Sequence, residues 1–318
     1  MRIVVLDGHT LNPGDNSWAP VEALGEVTVY ARTRDAEIVE RAAGADIVLT
    51  NKTPITAAVL AELPNLKFIS VLATGYNVVD VRAARRRGIP VSNVPEYSTN
   101  SVAEHVFALL FEFFHHTAQL NRAVHEGEWV GSTDFCFWHD PLVELYGKQI
   151  GIIGFGRIGR RVGLLAHTFG MQVLAHDIDQ DSPPGYEPFA WASIEDVFTR
   201  ADIVSLHCPQ TETNVGMVNQ ALLTKMKRSA ILVNAARGGL VDEHDLAAAL
   251  NNGTIAGAAL DVLSSEPPTA DNPLLSAKNC LITPHVAWAT VEARRRMMEI
   301  TARNIQAFVN GHPINVVN

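Results

Sequence analysis

The chain has 318 residues, more than one ordinary hydrophobic core accommodates, and this length predicts two domains. Apolar residues make up 47% and charged residues 19%, as in a globular enzyme, and the net charge of −9 gives no reason to expect nucleic acid or an anionic membrane as partner. Cys136, Cys208 and Cys280 lie far apart with no C-x-x-C motif, so neither a zinc site nor a disulfide framework is indicated. The sequence shows neither a signal peptide nor an apolar run of the ~18 residues that a membrane span needs, and we expect a cytoplasmic protein.

Over the first 98 residues, short apolar runs alternate with helical patterns. This alternation predicts a parallel sheet covered by helices on both faces. A loop at residues 73–77 follows the fourth predicted strand, and ligands of such sheets bind at the carboxyl ends of strands. The predicted strands are residues 3–6, 27–30, 47–50, 68–71 and 91–93, and the predicted helices span about 35–43, 56–63 and 80–87.

A long helix is predicted next, starting at a capping box formed by Ser101 and Glu104. Its apolar stripe consists of Val102, Val106, Leu109, Leu110 and Phe113. The segment 121–148 is less regular and carries a group of aromatic residues. Their number in a predicted loop indicates burial, either against a second subunit or within the chain, and the sequence does not decide between the two. These aromatic residues are Trp129, Phe135, Phe137 and Trp138.

The stretch from Gln149 to Asp177 predicts a dinucleotide site. An apolar strand leads into the motif G-x-G-x-x-G, with Gly154 for a tight turn, Gly156 for close approach of a pyrophosphate and Gly159 for close packing of helix on strand. The following helix directs its unpaired N–H groups and its positive dipole end at the phosphates. Asp177 ends the second strand, 21 residues after Gly156, where a carboxylate accepts the ribose hydroxyls of NAD and repels the 2′-phosphate of NADP.

Four further strands follow in the second domain, which gives it six, the number in a full dinucleotide-binding sheet. Ser193 is the predicted N-cap of the helix that begins beside it. The six predicted strands are residues 150–153, 172–176, 203–207, 231–234, 258–262 and 281–283, and the predicted helices span about 193–200, 218–226, 242–251 and 290–309.

Three residues suited to the reduction of a 2-oxo acid follow three successive strands of this second sheet. Arg237 offers a guanidinium for a carboxylate, His285 a proton donor with a pKa range near neutrality, and Glu266 an acidic partner for the histidine. Each alone has an ordinary explanation as a surface charge or a structural histidine. Their coincidence beside the predicted NAD site indicates an active site.

These motifs resemble the D-isomer-specific 2-hydroxyacid dehydrogenase family over essentially the whole chain. Within it the sequence looks most like the glycerate dehydrogenase (hydroxypyruvate reductase) branch. The family resemblance lies in residues 154–159, 207–209, 234–239, 261–262, 266–267 and 283–285, and that to the branch in residues 50–54, 72–80 and 134–138.

The resemblance implies two Rossmann-like, doubly wound parallel-sheet domains of the α/β class, the NAD-binding one inserted in the other. Residues 1–98 and 288–318 would form the substrate domain and residues 99–287 the NAD-binding domain. The implied reaction is reduction of hydroxypyruvate or glyoxylate by NADH in a cleft that closes on the substrate, without a metal. His285 would be the acid/base, Glu266 its orienting partner, and Arg237, Thr74 and Gly75 the contacts of the substrate carboxylate.

The resemblance also implies a homodimer paired through the coenzyme domain, and a set of cofactor contacts. Three positions depart from the usual family pattern: His176 before the acid, Asn214 in place of threonine, and Ala287 in place of glycine. The implied cofactor contacts are Gly154, Gly156, Arg157, Ile158, Gly159, Asp177, Cys208, Pro209, Asn214, Ala235, Ala236, Arg237, Asp261, His285 and Ala287.

Two alternatives share much of this pattern. A formate dehydrogenase has the same fold, but its members usually pair the histidine with glutamine, and Glu266 argues against that activity. A non-enzymatic NAD-sensing protein, like the transcriptional corepressors of the family, would need partner-binding surfaces that the sequence does not identify.

Overall fold

The computed structural model describes all 318 residues, which divide into two compact units. Unit 1 comprises Met1–Ser98 and Ala289–Asn318, and unit 2 comprises Thr99–Trp288. The division places Trp288 in unit 2, one residue beyond the boundary expected from the sequence. No helix in either unit is both long and apolar enough for a membrane span.

Unit 1 contains a five-stranded parallel sheet in the order β2-β1-β3-β4-β5. Every residue of β3 and β4 is buried, as expected for central strands with helices on both faces. The C-terminal helix α11 packs against this sheet, where the rings of Phe68 and Phe308 stack with centroids 4.6 Å apart. The elements are β1 Arg2–Val5, α1 Ala19–Glu22, β2 Glu26–Val29, α2 Ile38–Ala42, β3 Ile47–Thr50, α3 Ala57–Ala61, β4 Phe68–Val71, α4 Val81–Arg86, β5 Val91–Ser92 and α11 Val291–Val309.

Unit 2 contains a seven-stranded parallel sheet in the order β12-β11-β10-β9-β6-β7-β8. The predicted α/β class and parallel sheets are confirmed, but six strands was one too few. The elements are α5 Thr99–His115, α6 Thr117–His125, β6 Gln149–Ile153, α7 Arg157–Thr168, β7 Gln172–His176, β8 Phe189–Trp191, α8 Ile194–Arg200, β9 Ile203–Leu206, α9 Gln220–Leu223, β10 Ile231–Asn234, α10 Glu243–Asn251, β11 Gly257–Leu260 and β12 Cys280–Ile282.

The missed strand is β8, which pairs with β7 at the edge of the sheet through Val173 and Phe189. A strand of three residues is too short to show a period, so no strand was predicted there. The chain runs from β6 outward to β7 and β8 and then returns to β9 on the other side of β6. The carboxyl ends of β6 and β9 therefore form the topological switch point, where α/β sheets bind ligands.

The capping box predicted at Ser101 is wrong. Helix α5 begins at Thr99, and Ser101 lies buried inside its first turn, where its hydroxyl donates to the carbonyl oxygen of Ala287. Serine is a common capping residue and an apolar run follows position 101, which is why a cap was predicted. Its actual partner, Ala287, is 186 residues away and leaves no local sign in the sequence.

The segment predicted to be irregular from residue 121 begins inside helix α6, which ends at His125. Beyond it the chain is irregular, and three of the aromatic side chains are mostly exposed: Trp129 by 52%, Phe135 by 89% and Trp138 by 62%. Packing within the chain therefore does not bury them.

Candidate active site

The glycine motif forms a turn between β6 and α7 that tolerates no side chain at two of its three glycines. Gly154 has φ +92°, and a Cβ there would lie 2.4 Å from the backbone nitrogen of Cys208. A Cβ at Gly159 would lie 2.1 Å from the carbonyl oxygen of Gly154. A Cβ at Gly156, in contrast, would meet no atom within 4 Å, so this glycine borders open space. The positive φ at Gly154 and the close backbone contact at Gly159 explain why the motif has glycine at these two positions.

The N-terminus of α7 opens onto the same space. Gly156 is its N-cap and supplies no side-chain acceptor. The N–H groups in the first turn of the helix therefore have no partner within the helix. Such a terminus binds phosphate through those N–H groups and the helix dipole. With the room at Gly156, this arrangement fits the pyrophosphate of a dinucleotide.

Asp177 lies at the carboxyl end of the neighbouring strand β7 and braces the glycine turn. Its Oδ2 accepts the backbone N–H of Phe155 at 2.6 Å, and its Oδ1 accepts that of Ile178 at 2.7 Å. Each carboxylate oxygen has further acceptor capacity. A bound ribose could therefore donate hydroxyl hydrogen bonds to the carboxylate without breaking either backbone contact.

The loop after β9 holds Cys208, Pro209 and Asn214. Burial raises the pKa of the Cys208 thiol above its ordinary value, which keeps it uncharged beside the glycine turn. The side chain of Asn214 closes the loop on itself, because its Nδ2 donates to the carbonyl oxygen of Pro209 at 2.8 Å and its Oδ1 accepts the N–H of Thr211 at 2.7 Å. The asparagine at this position thus acts within its own loop.

Arg237 lies in the loop after β10, and the conformation of this loop is set by Asn234, which was predicted only as part of a motif. Buried Asn234 accepts the N–H of Ala236 at 3.0 Å and donates from Nδ2 to the carbonyl oxygen of Arg237 at 2.9 Å. A Cβ at Gly238 would lie 1.9 Å from the carbonyl carbon of Leu263, so this loop packs tightly against the loop after β11. The Arg237 side chain is exposed and forms no ion pair; its Nη1 donates to Ala236 O at 2.6 Å.

His285 and Glu266 are in direct contact, as the sequence reasoning anticipated. Nδ1 of His285 lies 2.6 Å from Oε2 of Glu266, and the two side chains are 25% and 33% exposed. Oε1 of Glu266 accepts the N–H of Leu263 at 3.2 Å, which fixes the carboxylate. Because Nδ1 faces the acid, Nε2 is the ring nitrogen left to exchange a proton with a ligand. His285 follows β12, Glu266 follows β11 and Arg237 follows β10, which are adjacent strands.

Asp261 lies just after β11 and is almost fully buried. Its Oδ1 accepts Thr283 Oγ1–H at 2.6 Å and Val286 N–H at 2.9 Å, its Oδ2 accepts Ala287 N–H at 2.9 Å, and His105 Nε2 lies 3.4 Å from Oδ1. Burial acts to raise the pKa of Asp261, but the hydrogen bonds from His105, Thr283 and the two backbone N–H groups outweigh it and hold the pKa below its usual value. An ionised carboxylate thus underlies the turn that carries His285.

The loop after β4 in unit 1 carries Thr74 and Gly75. Thr74 Oγ1 donates to Val94 O at 2.9 Å, and Asn93 Nδ2 donates to Thr74 O at 2.7 Å, so the loop is held by its side chains and carbonyls. The backbone N–H groups of Thr74 and Gly75 are not used in these contacts and can serve a ligand.

Comparison with known proteins bears on the whole chain. Residues 107–287 match the model of the D-isomer specific 2-hydroxyacid dehydrogenase NAD binding domain. The sequence is 49% identical to a hydroxypyruvate reductase of Blautia hydrogenotrophica over 321 aligned residues, covering 100% of both chains. The chain belongs to the D-isomer-specific 2-hydroxyacid dehydrogenases.

Two further members of this dehydrogenase family are informative. A glycerate dehydrogenase of Methylorubrum extorquens is 43% identical over 88% of each chain. A structure of an NADPH-dependent glyoxylate/hydroxypyruvate reductase from Sinorhizobium meliloti, in complex with NADP and malonate, has a TM-score of 0.84 at 29% identity and covers 99% of this chain and 96% of its own. Unit 2, which contains the matched residues, is therefore an NAD-binding domain by family, and the similar structure from Sinorhizobium meliloti holds NADP.

Proposed function

We propose that this dehydrogenase reduces small 2-oxo acids, with hydroxypyruvate and glyoxylate as the first candidates, giving D-glycerate and glycolate respectively. The observation that carries the proposal is the 2.6 Å contact between His285 Nδ1 and Glu266 Oε2 at the strand ends of the NAD-binding sheet. A histidine held in this way is a positioned proton donor, because its other ring nitrogen, Nε2, is available to the substrate. The names of the relatives support the choice of substrates.

In the proposed reaction, a bound nicotinamide cofactor supplies the hydride. The pyrophosphate would be held by the turn from Gly154 to Gly159 and the N-terminus of α7. Arg237 would bind the substrate carboxylate through its exposed guanidinium, with Thr74 and Gly75 as further substrate contacts. Protonated His285 would deliver a proton from Nε2 to the oxygen at C2, while Glu266 stabilises the imidazolium through Nδ1–H. Oxidation of the hydroxy acid would reverse these steps.

The proposed cofactor is NAD rather than NADP. This proposal is supported by the carboxylate of Asp177, which can accept ribose hydroxyls and would repel a 2′-phosphate. Neither neighbour in the sequence, His176 or Ile178, is an arginine that could pair with that phosphate. Because the similar structure from Sinorhizobium meliloti holds NADP, the preference of this chain for NADH or NADPH is to be measured directly.

The test is a steady-state assay of cofactor oxidation with hydroxypyruvate, glyoxylate and a bulkier 2-oxo acid, each with NADH and with NADPH. We expect the highest kcat/KM with one of the two small acids and NADH. An Arg237→Ala variant should raise KM for the oxo acid and lower kcat, while Arg200→Ala, at the end of helix α8, serves as a control. Activity with formate and none with any 2-oxo acid would overturn the proposal.

We also infer that unit 2 forms a homodimer through the segment after α6. Large apolar side chains at Trp129, Val130, Phe135 and Tyr146 are between 52% and 92% exposed within a short stretch of chain. Such a concentration is typical of a subunit interface. Light scattering after size-exclusion chromatography should give a dimer for the wild type and for Leu275→Asp, and a monomer for Phe135→Asp. A monomeric wild type would contradict the inference.

A further inference from the structure

The turn that carries His285 has an unfavourable backbone conformation. His285 has φ +54°, in the left-handed region that a residue with a Cβ rarely adopts. Its own N–H donates to Thr283 O at 2.9 Å, which closes a tight turn. A conformation of this kind persists only where the surrounding structure enforces it. The contacts that enforce this one therefore determine where the imidazole lies.

Two side chains on one face of α5 contact this turn. Ser101 and His105 are four residues apart and so lie above one another on the helix. Ser101 Oγ donates to Ala287 O at 2.5 Å, and His105 Nε2 lies 3.0 Å from Thr283 Oγ1. The helix thus contacts the first and the last residue of the segment 283–287, on either side of His285.

The direction of the hydrogen bonds follows from counting protons. The hydroxyl of Thr283 has one proton, and it points to Asp261 Oδ1, only 2.6 Å away, because an ionised carboxylate can only accept. Thr283 Oγ1 must therefore accept from His105, which fixes the proton of His105 on Nε2. The result is a chain of donors from His105 through Thr283 to Asp261, which in turn accepts the N–H groups of Val286 and Ala287.

Asp261 has no lysine or arginine partner. Its hydrogen bonds come from α5, from the segment after β12 and, through its own N–H, from Asn234 at the end of β10, and among these partners His105 is the only titratable group. The carboxylate is buried, so the loss of one of these donors leaves an acceptor unsatisfied away from water. A change at His105 is thus transmitted to the two backbone N–H groups that follow His285.

We propose that His105 is a positioning residue for the reaction: through Thr283 and Asp261 it holds the turn 283–287 in the conformation that presents His285 to Glu266 and to the substrate. The proposal rests on the proposed role of His285. It assigns a role to a residue outside the predicted catalytic and substrate-binding residues. His105 touches neither of the reacting groups and acts only through the hydrogen-bonded chain.

The first experiment compares kcat and KM for His105→Leu, His105→Gln and the wild type with hydroxypyruvate and NADH. We expect His105→Leu to lower kcat by about 10- to 100-fold, the scale of a misplacement of about 1 Å, with KM for NADH changed less than about threefold. His105→Gln keeps an N–H donor near Nε2 and should recover most of kcat. Glu104→Gln, exposed on the same helix, is the matched control and should match the wild type.

A second pair of variants separates positioning from a purely structural role. Thr283→Val replaces one hydroxyl by a methyl group and should lower kcat as His105→Leu does. Because both break the same chain, the double variant should be no slower than the slower single variant, whereas independent structural defects would add. If His105→Leu does not fold, Thr283→Val alone decides, and wild-type kcat in that variant overturns the proposal.

The outcome for His285 distinguishes the two proposals. If His285→Ala loses activity while His105→Leu and Thr283→Val keep full kcat, the positioning role of His105 is wrong and the proposed function stands. If His285→Ala keeps full activity, the proposed function fails and the inference about His105 fails with it. Equal loss of kcat in His105→Leu and His105→Gln would also contradict the positioning role.

Discussion

Each unit has a crevice at the carboxyl ends of the two strands where the strand order reverses, but the groups around the two crevices differ. In unit 1 the crevice lies between the carboxyl ends of β1 and β3, where Asp7 accepts the backbone N–H groups of Asn51, Lys52 and Thr53 at 2.5–2.9 Å. In unit 2 it lies between β6 and β9, where Asp177 accepts only one N–H of the glycine turn, that of Phe155, and the space beside Gly156 stays open.

This contrast shows that a doubly wound sheet does not by itself make a nucleotide site. Backbone N–H groups at a strand end are an anion site in either unit. In unit 1 the Asp7 carboxylate accepts all three N–H groups, whereas in unit 2 Asp177 accepts one N–H of the glycine turn and the space at Gly156 leaves the N-terminus of α7 accessible. The proposed chemistry accordingly concentrates at the strand ends of unit 2, and the following variants test that division.

The largest effect is expected at His285. His285→Ala should lower kcat for the 2-oxo acid by at least ~10²-fold, the usual contribution of a positioned general acid. NADH binding, measured by fluorescence titration, should stay within a few-fold of the wild type, because the glycine turn is unchanged. His312→Ala, exposed near the C-terminus in unit 1, is the control. Full turnover in His285→Ala would remove the assignment of the proton donor.

The second effect concerns the acid that braces the glycine turn. Asp177→Asn removes the negative charge but keeps an acceptor for the N–H of Phe155. We expect the ratio of kcat/KM with NADPH to that with NADH to rise by about tenfold or more, since like charges brought together cost several kcal/mol. The same ratio measured for Asp179→Asn should change little. A wild type that already prefers NADPH would contradict the role given to Asp177.

The third variant makes the corresponding change, aspartate to asparagine, at Asp7 in unit 1. Asp7→Asn replaces one of the two carboxylate oxygens that accept the three N–H groups at residues 51–53 by an NH2 donor, so at least one N–H loses its acceptor. We expect a loss of about 1–3 kcal/mol in the free energy of unfolding, the cost of an unsatisfied polar group that is partly buried. The affinity for NADH should not change. Urea unfolding and fluorescence titration measure the two quantities. A weakened NADH affinity with unchanged stability would show that unit 1 takes part in nucleotide binding.

The smallest effect concerns His207, at the switch point of unit 2. Burial lowers the pKa of His207 to about 4, and its Nδ1 is buried without a partner. The unfolded chain takes up a proton near pH 6.5. Between pH 6.5 and 4 the unfolded state therefore binds more protons than the folded state, so this histidine lowers stability as the pH falls through that window and contributes no pH dependence above it.

The measurement for His207 is the urea midpoint at several pH values. Replacing it in His207→Asn should flatten the loss of stability between pH 6.5 and 4, relative to the wild type. The Ser205 hydroxyl, 2.8 Å from His207 Nε2, can still pair with the amide. Parallel curves for the two proteins over this window would contradict a neutral imidazole with a buried Nδ1.

Much of the fold was readable from the sequence because its signals are local. Continuous apolar runs predicted β3, β4 and β6, and Ser193 does accept the N–H of Asp196 as an N-cap. Strand β8 was missed because three edge residues are too few for a pattern. Ser101 was misread because its partner, Ala287, is far away in the chain.

The same distinction applies to the candidate site. The pairing of His285 with Glu266 could be anticipated because both residues follow adjacent strands and have matching chemistry. The contact of His105 with Thr283 could not, because it joins a helix to a turn 178 residues later. A histidine on an apolar helix face carries no local sign of its partner.

The most direct test of the central claim is hydride tracing with NADH that carries deuterium at both C4 positions and hydroxypyruvate as substrate. Mass and NMR analysis of the product should show D-glycerate with one deuterium at C2 for the wild type, and almost no product for His285→Ala. Glycerate without deuterium, or no reaction of the wild type with any 2-oxo acid, would contradict the account.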